Sequence, residues 1–246
     1  IESSDLMTQQ KTPGLGQAAL QIGDVHVRNR ETIVGILIHS DPRADYPGVV
    51  LAIETIIVAQ GKQGKVQLIR LFFYGFWVTD LGENEILTEV RILTDSANAN
   101  SCFLKSPQPT SRYPYMGCAV TMRTSVKFAE IRVGFSGVDE SLFRDSGVED
   151  SIRGQALNES LIGVASAKAA EGHSVLSDVF VSEEYRRAMA QVYTKRALTQ
   201  LSRTTVTFHK IAVCGLYGQG IYCRFNCEYE HLPPFSNKCY VVTRIN

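Results

Sequence analysis

The chain has 246 residues, of which 44% are hydrophobic, and its 25 Lys and Arg balance 25 Asp and Glu. This composition supports a buried core in one large domain or two ordinary ones. It contains no basic run of the kind that binds nucleic acid, and no apolar stretch approaches the roughly 20 residues that cross a bilayer. We therefore expect a globular protein without a nucleic-acid partner or a membrane span.

The first residues, IESSDLMTQQK, contain neither an initiator Met nor the basic and apolar regions of a signal peptide. They predict a cut into a longer chain. The six cysteines are too sparse for a disulfide scaffold. Their spacing favours a reduced, cytoplasmic protein.

In the first part of the chain, short helices are predicted to alternate with strands. The segment TPGLGQAALQIGD predicts one or two helical turns that end near Gly23. A short helix is predicted after Pro47, followed by a β-hairpin whose turn spans Gly61 to Gly64. The alternation in NEILTEVRIL predicts another strand with one better-buried face.

In the second part, KSPQPTSRYP has three prolines and predicts a linker. MGCAVTMR and FAEIRVGFSGV then predict two strands, and a helical pattern follows, with Asn158 and Ser182 as N-caps and Gly172 ending the first helix. One face of the last helix is predicted to pack on the sheet through Tyr185, Met189, Val192, Tyr193, Ala197 and Leu201. From Thr204 onward the composition predicts a β-rich tail.

The segment VRNRETIVGILIHSDPRAD, from Val27 to Asp45, contains features of an anion-binding loop. Unpaired N–H groups and the dipole at the start of a helix favour phosphate, and glycines let the backbone approach it. TIVG, from Thr32 to Gly35, meets this pattern only in part, because a valine stands beside its one glycine. Arg28 and Arg30 could steer phosphate or could pair with neighbouring carboxylates.

Together with IGDVHVRNRETIVG, HSDPRADYP, NEILTEVRI, EIRVGFSGV and SDVFVSEEYRRAMAQVYTKRAL, this segment resembles the FAD-binding medium subunit of the molybdenum hydroxylases, the carbon monoxide dehydrogenase and xanthine dehydrogenase family. The resemblance covers roughly Gly16 to Leu201. It implies an α+β fold, in which the second subdomain of a PCMH-type FAD-binding domain (1–108) precedes a C-terminal domain of small antiparallel sheet plus helical bundle (109–203). Residues 204–246 would form a Cys-rich tail.

By this resemblance the cofactor is FAD, and no catalytic side chain is required of this chain. The diphosphate would lie at Thr32, Ile33, Val34, Gly35 and Ile36. Ile22 would line the cofactor, and Asp45 would hydrogen-bond its polar chain. Leu87 would pack on it or simply belong to the core, and Lys105 would supply a cation, although Asp45 and Lys105 could equally be solvated loop charges.

The loop departs from the family pattern, which reads roughly Arg-Asn-Arg-Gly-Thr-Ile-Gly-Gly-Asn. Glu31, Val34 and Ile36 replace two glycines and a small polar residue. A positive φ at Val34 would cost roughly 1 to 3 kcal/mol. In addition, the family's first FAD subdomain has no counterpart in this chain.

Two functions remain open. In the first, the chain passes electrons from the iron-sulfur clusters of a 2Fe-2S small subunit through FAD to an acceptor, within a hetero-oligomer that also contains a large molybdenum subunit. In the second, it is a non-catalytic structural or interaction protein that no longer binds FAD. The chain has no cysteine spacing of an iron-sulfur centre, so the clusters must belong to a partner.

The tail contains four residues of zinc-ligand type, Cys214, Cys223, Cys227 and His231. Tetrahedral zinc is bound by such sets. The gap between Cys223 and Cys227 is shorter than usual for a zinc finger, and buried or free thiols explain the pattern better, so no metal site is predicted.

Overall fold

The computed structural model describes residues 12–62, 64–68, 72–94, 99–124, 129–212 and 239–244. The helices are α1 (Pro13–Gln21), α2 (Val25–Arg30), α3 (Ile33–His39), α4 (Asp45–Ala52), α5 (Ser146–Ile152), α6 (Glu159–Ala167) and α7 (Glu183–Ala212). The strands are β1 (Ile56–Gln60), β2 (Lys65–Leu68), β3 (Phe73–Gly75), β4 (Val78–Thr79), β5 (Ile86–Thr94), β6 (Ala99–Pro107), β7 (Pro114–Thr124), β8 (Ala129–Ser136), β9 (Phe143–Arg144) and β10 (Cys239–Arg244). The predicted mixture of helices and sheets is confirmed.

The first sheet has the order β10-β5-β1-β2. The predicted hairpin is β1 and β2, and the predicted strand after it is β5. A bulge shifts the register of β1 and β5, so that Val58 faces Glu89 while Ala59 faces Leu87. Because a bulge skips one residue, Leu87 is buried together with Val90 and Ile92, although simple alternation would separate it from them.

The second sheet has the order β6-β7-β8-β9. The prediction of a linker at KSPQPTSRYP is wrong. This segment forms the end of β6, a tight turn and the start of β7. The Gln108 N–H donates to the Tyr113 carbonyl over 2.8 Å and closes the turn. Proline is tolerated at strand ends and in turns, where its missing N–H breaks no ladder. A domain boundary between residues 108 and 109 would therefore divide the β6–β7 hairpin. The division of the chain into three domains remains a prediction.

Three helices cover one face of the second sheet. Both predicted N-caps are confirmed, since Asn158 Oδ1 accepts from the Leu161 N–H at 2.9 Å and Ser182 Oγ from the Tyr185 N–H at 3.3 Å. Helix α6 ends at Ala167, before the turn that contains Gly172.

The buried face of α7 differs in part from the predicted one. Tyr185 is 47% exposed, and the buried residues are Arg186, Ala190, Thr194, Ala197, Leu198 and Leu201. Because α7 continues to Ala212, the predicted β structure is wrong for residues 204–212. Cys239–Arg244 do form a strand.

Helix α4 packs on the face of the second sheet that α5 to α7 leave open. The backbones approach so closely that a Cβ on Gly134 of β8 would lie 2.2 Å from the carbonyl oxygen of Gly48. A Cβ on Gly48 would lie 2.5 Å from Ser136 Oγ. Two glycines thus let one helix bridge the two halves of the fold. Within the residues described, no helix is long and apolar enough to span a membrane.

Candidate cofactor site

A cavity of about 1030 Å³ opens beside the N-terminus of α3. Its walls come from the turn after α1, from α2, α3 and the start of α4, and from the β6–β7 turn. The lining residues are 22–27, 30–32, 35, 36, 39, 44, 45 and 110–113. Typical small-molecule sites have volumes of roughly 300 to 1,000 Å³, so this space can hold a large part of a dinucleotide.

Helix α3 begins where the sequence predicted an anion-binding loop. Thr32 is its N-cap, and its Oγ1 accepts from the Gly35 N–H at 3.0 Å. The N–H groups of Ile33 and Val34 lie in the first turn, where a helix offers no internal acceptor. Together with the helix dipole, they make this end of α3 favourable for an anion.

The helical period divides the predicted run Thr32 to Ile36 between two environments. Thr32, Gly35 and Ile36 line the cavity, as does His39 one turn later. Ile33, Val34 and Leu37 point to the other side and belong to the hydrophobic core. The sequence reasoning assumed a loop, in which neighbouring residues can all face one ligand.

Val34 is therefore a core residue rather than a defect of the loop. It is 9% exposed, lies inside α3 and is not among the described residues with positive φ. The condition under which backbone strain was expected at Val34, a positive φ, is therefore not met. A valine is accommodated beside Gly35 because it packs away from the cavity.

Asp45 and Lys105 form a buried ion pair at the back of the cavity. Lys105 Nζ lies 3.0 Å from both carboxylate oxygens of Asp45 and 2.6 Å from the carbonyl oxygen of Gln21. Burial raises the pKa of Asp45 to about 6, against the opposing effect of Lys105. Burial likewise lowers the pKa of Lys105, although Asp45 counteracts it. The alternative of solvated loop charges is thus wrong for both residues.

The cavity contains five of the nine predicted site residues, namely Ile22, Thr32, Gly35, Ile36 and Asp45. The other four lie behind it. Leu87 is fully buried in the core with Ile33 and Val34, and the three donors of the Lys105 ammonium face Asp45 and Gln21. Lys105 therefore orients Asp45 instead of lining the cavity.

The β6–β7 turn supplies cavity residues that the sequence reasoning missed. The Tyr113 hydroxyl donates to Asp41 Oδ2 at 2.6 Å, and burial raises the pKa of this tyrosine. Arg112 adopts a φ of +55° in the same turn. A Cβ on Gly23 would lie 2.4 Å from the Ser111 carbonyl oxygen, so Gly23 permits the turn to close the cavity. The sequence reasoning missed this turn because the prolines of KSPQPTSRYP also fit a linker.

Charges of both signs line the cavity. Arg30 and Arg112 contribute cations, whereas the Asp24 carboxylate is engaged as the N-cap of α2. Arg28 does not line it and donates to the Leu20 carbonyl at 3.1 Å. Burial and the nearby Asp45 raise the pKa of Glu31, which indicates an unfavourable environment for its charge. With the helix terminus, this donor set fits a phosphate-bearing cofactor, and Glu31 opposes it.

The four zinc candidates Cys214, Cys223, Cys227 and His231 lie outside the described residues. Within the described part, no three His, Cys, Asp or Glu side chains are arranged to hold a metal ion.

Comparison with known proteins places this chain in a family. Residues 2–92 match the FAD binding domain in molybdopterin dehydrogenase, and residues 101–201 match the CO dehydrogenase flavoprotein C-terminal domain. The carbon monoxide dehydrogenase medium chain of Hydrogenophaga pseudoflava is 31% identical over 197 residues, which are 79% of this chain and 69% of that one. The glyceraldehyde dehydrogenase medium chain of Sulfolobus acidocaldarius is 27% identical, with 82% and 72% covered.

The fold agrees with these relationships. A solved structure of carbon monoxide dehydrogenase from Hydrogenophaga pseudoflava, which lacks the Mo-pyranopterin moiety of its cofactor, superposes with a TM-score of 0.75 at 32% identity. The match covers 81% of this chain and 71% of that one. The two matched segments, the related medium chains and the shared fold lead to one conclusion: the chain belongs to the FAD-binding medium chains of the molybdenum hydroxylase family.

Proposed function

We propose that this chain binds FAD in the cavity beside α3 and passes electrons through it, from the iron-sulfur clusters of a partner subunit to an acceptor. The observation that carries the proposal is the N-terminus of α3, which opens into a cavity of dinucleotide size within a segment matched by an FAD-binding family model. The proposed contact residues are those that line the cavity, with Lys105 holding Asp45 from behind.

When bound, FAD supplies the redox chemistry, and the protein supplies binding, orientation and electrostatics. The first-turn N–H groups of α3 would face the diphosphate. Asp45, held by Lys105, would accept a hydrogen bond from the cofactor's hydroxyl groups. Tyr113 lines the cavity and is held in place by its hydrogen bond to Asp41.

The proposal extends to partners. Relatives are named medium chains or medium subunits, including the nicotine 6-hydroxylase medium subunit of Paenarthrobacter nicotinovorans. We propose a hetero-oligomer with a large molybdenum-binding subunit and a small 2Fe-2S subunit. Cys102 and Cys118 are buried free thiols, and the cysteine spacing in the sequence matches no iron-sulfur motif, so the proposal assigns the clusters to another chain.

A charge change at the α3 terminus tests the FAD site. Asp is a good N-cap, so Thr32→Asp keeps the helix start while adding a negative charge where the diphosphate should lie. We expect FAD titration of the full chain to show at least about tenfold weaker binding for this variant. Thr32→Ser is the matched control, since it keeps both cap and charge, and it should bind within about twofold of wild type.

One observation favours the alternative of a non-catalytic interaction protein that no longer binds FAD. Glu31 places a carboxylate in the wall beside the proposed diphosphate position. If the wild-type chain fails to bind FAD while Glu31→Gly does, the cavity is intact and the carboxylate is responsible. Equal binding by wild type and Thr32→Asp would instead contradict the proposed position of the diphosphate.

A further inference from the structure

We propose that a second cavity, which shares no lining residue with the cofactor site, binds a small amphipathic carboxylate. It has a volume of about 740 Å³ and lies between the turn after α4, the strands β8 and β9, and the start of α5. The proposal concerns a ligand site independent of FAD. It rests on one buried arginine, on the side chain that covers it and on the apolar walls around them.

Arg132 provides the anion-binding group. It is 6% exposed, and its Nη2 lies 2.8 Å from a carboxylate oxygen of Glu54 and donates to Glu130 Oε1 at 2.7 Å. Its Nη1 is buried and has no hydrogen-bond partner in the part of the chain that the structure describes. Buried polar atoms are nearly always satisfied in folded proteins, so this free edge of the guanidinium indicates a missing acceptor.

Glu130 is the group that a ligand would displace. Its side chain is 60% exposed, although its carboxylate contacts a guanidinium that is almost fully buried. Glu54 is held more firmly, because it also contacts Arg144 at 3.4 Å. A carboxylate that takes the place of Glu130 leaves the charge of the cavity unchanged. It can also engage both Nη1 and Nη2, the bidentate geometry that arginine favours.

The backbone of β8 offers a further donor at this edge. The Val133 N–H donates to Glu149 Oε1, and the Val133 carbonyl accepts from the Asp145 N–H, so this residue faces away from β7. Alternate residues of an antiparallel strand face the same edge, which gives Ile131 the same direction. Strand β9 pairs with Gly134 and Phe135, so its ladder does not reach the Ile131 N–H.

The rest of the cavity determines which groups can be attached to the carboxylate of the ligand. Leu51, Leu142 and Phe143 line it together with Ile131, so apolar side chains stand beside the arginine, while charged side chains such as Arg144 and Glu149 form much of the remaining wall. A bare anion such as acetate would use only the polar end. An aromatic or medium-chain aliphatic carboxylate would use both, since its apolar part leaves water when it packs on these side chains.

Binding of benzoate and of acetate to the full-length chain, followed by ligand-observed NMR or calorimetry, tests this site. We expect benzoate to bind at least tenfold more tightly than acetate. Glu130→Gln removes the internal competitor and should strengthen benzoate binding by about threefold or more, whereas Arg132→Met should abolish it. Glu171→Gln removes an exposed carboxylate elsewhere and is the control, with affinity within twofold of wild type.

Several outcomes would overturn the proposal. Equal affinity for benzoate and acetate would show that the apolar walls are not used. Unchanged binding by Glu130→Gln would show that the ligand does not compete for Arg132, a result that stands even if Arg132→Met does not fold. Displacement of benzoate by saturating FAD would place it in the cofactor cavity instead.

Discussion

Lys105 and Asp45 join strand β6 to the first turn of α4 by an ion pair that is almost completely buried. The side chains are 2% and 5% exposed. Because both charges are removed from water, the ion pair contributes less to the stability of the fold than its short distances suggest. Removing one partner, however, leaves an uncompensated charge in the core.

The first prediction concerns this pair. Lys105→Met should lower the free energy of unfolding at pH 7 by about 3 to 5 kcal/mol, since the buried Asp45 carboxylate loses its counter-charge. Adding Asp45→Asn removes that carboxylate charge too, so the double variant should be more stable than the sum of the single losses by at least about 1 kcal/mol. Urea unfolding of the four proteins gives the coupling. Additive losses would mean that the pair does not act as a unit.

The second prediction concerns pH. The pKa of Asp45 is raised from 3.8 to about 6 in the folded chain. The folded state therefore holds this proton more tightly, so the stability contributed by the carboxyl is present below its ordinary pKa and is lost as pH rises through about 6. We expect the stability advantage of wild type over Asp45→Asn to grow as pH falls from about 7 to about 4.5. An advantage that shrinks would show that Lys105 outweighs burial.

The third prediction concerns Val34. This residue is helical, buried and without the positive φ that a glycine would relieve. Val34→Gly should destabilise the chain by about 2 to 4 kcal/mol, because a buried side chain and helix propensity are both lost. FAD affinity per folded molecule should not improve. A tighter complex, measured by titration at a temperature where the variant is folded, would contradict the helical assignment.

The fourth prediction compares two glycines. Gly134→Ala should destabilise by about 1 to 3 kcal/mol or more, because its Cβ would meet the Gly48 carbonyl at 2.2 Å. Gly163→Ala, within α6, meets nothing within 4 Å and should stabilise by about 0.5 to 1 kcal/mol. Thermal unfolding of both variants distinguishes them. Equal midpoints would mean that α4 can move away from β8 at no cost.

The fifth prediction concerns the two buried thiols. Burial raises the pKa of Cys118 to about 12 and also raises the pKa of Cys102. Since the thiolate is the reactive form, neither should react with iodoacetamide in the native chain at neutral pH, and both should react in urea. Mass spectrometry of the labelled peptides measures this. Native labelling of either residue would indicate that α7 opens from the sheet.

Local sequence signals predicted the elements correctly where the period was clear. The strand around Val90, the hairpin before it and the two N-caps Asn158 and Ser182 are confirmed because side-chain patterning and capping act over a few residues. The helical region after β9 was recognised for the same reason.

The predictions failed where tertiary contacts determine the environment of a residue. A register shift near Val58, which no pattern in NEILTEVRIL reveals, buries Leu87. Whether Thr32 to Ile36 form a loop or a helix determines which side chains share a wall, and Thr32 was recognised as a ligand residue instead of a cap. The turn with Tyr113 was missed because prolines at strand ends look the same in sequence as prolines in a linker.

The close approach of Gly23 to Ser111 joins two segments of the chain that separate family models match. The cavity wall is shared between residues 22–45, in the segment matched over 2–92, and residues 110–113, in the segment matched over 101–201. A chimaera that joins these segments from two different medium chains would keep each fold but could lose the fit between them. We expect a closed cavity only when the first segment has a glycine at position 23 and the second has a β6–β7 turn of the same length. Substitutions in one segment are therefore constrained by the other.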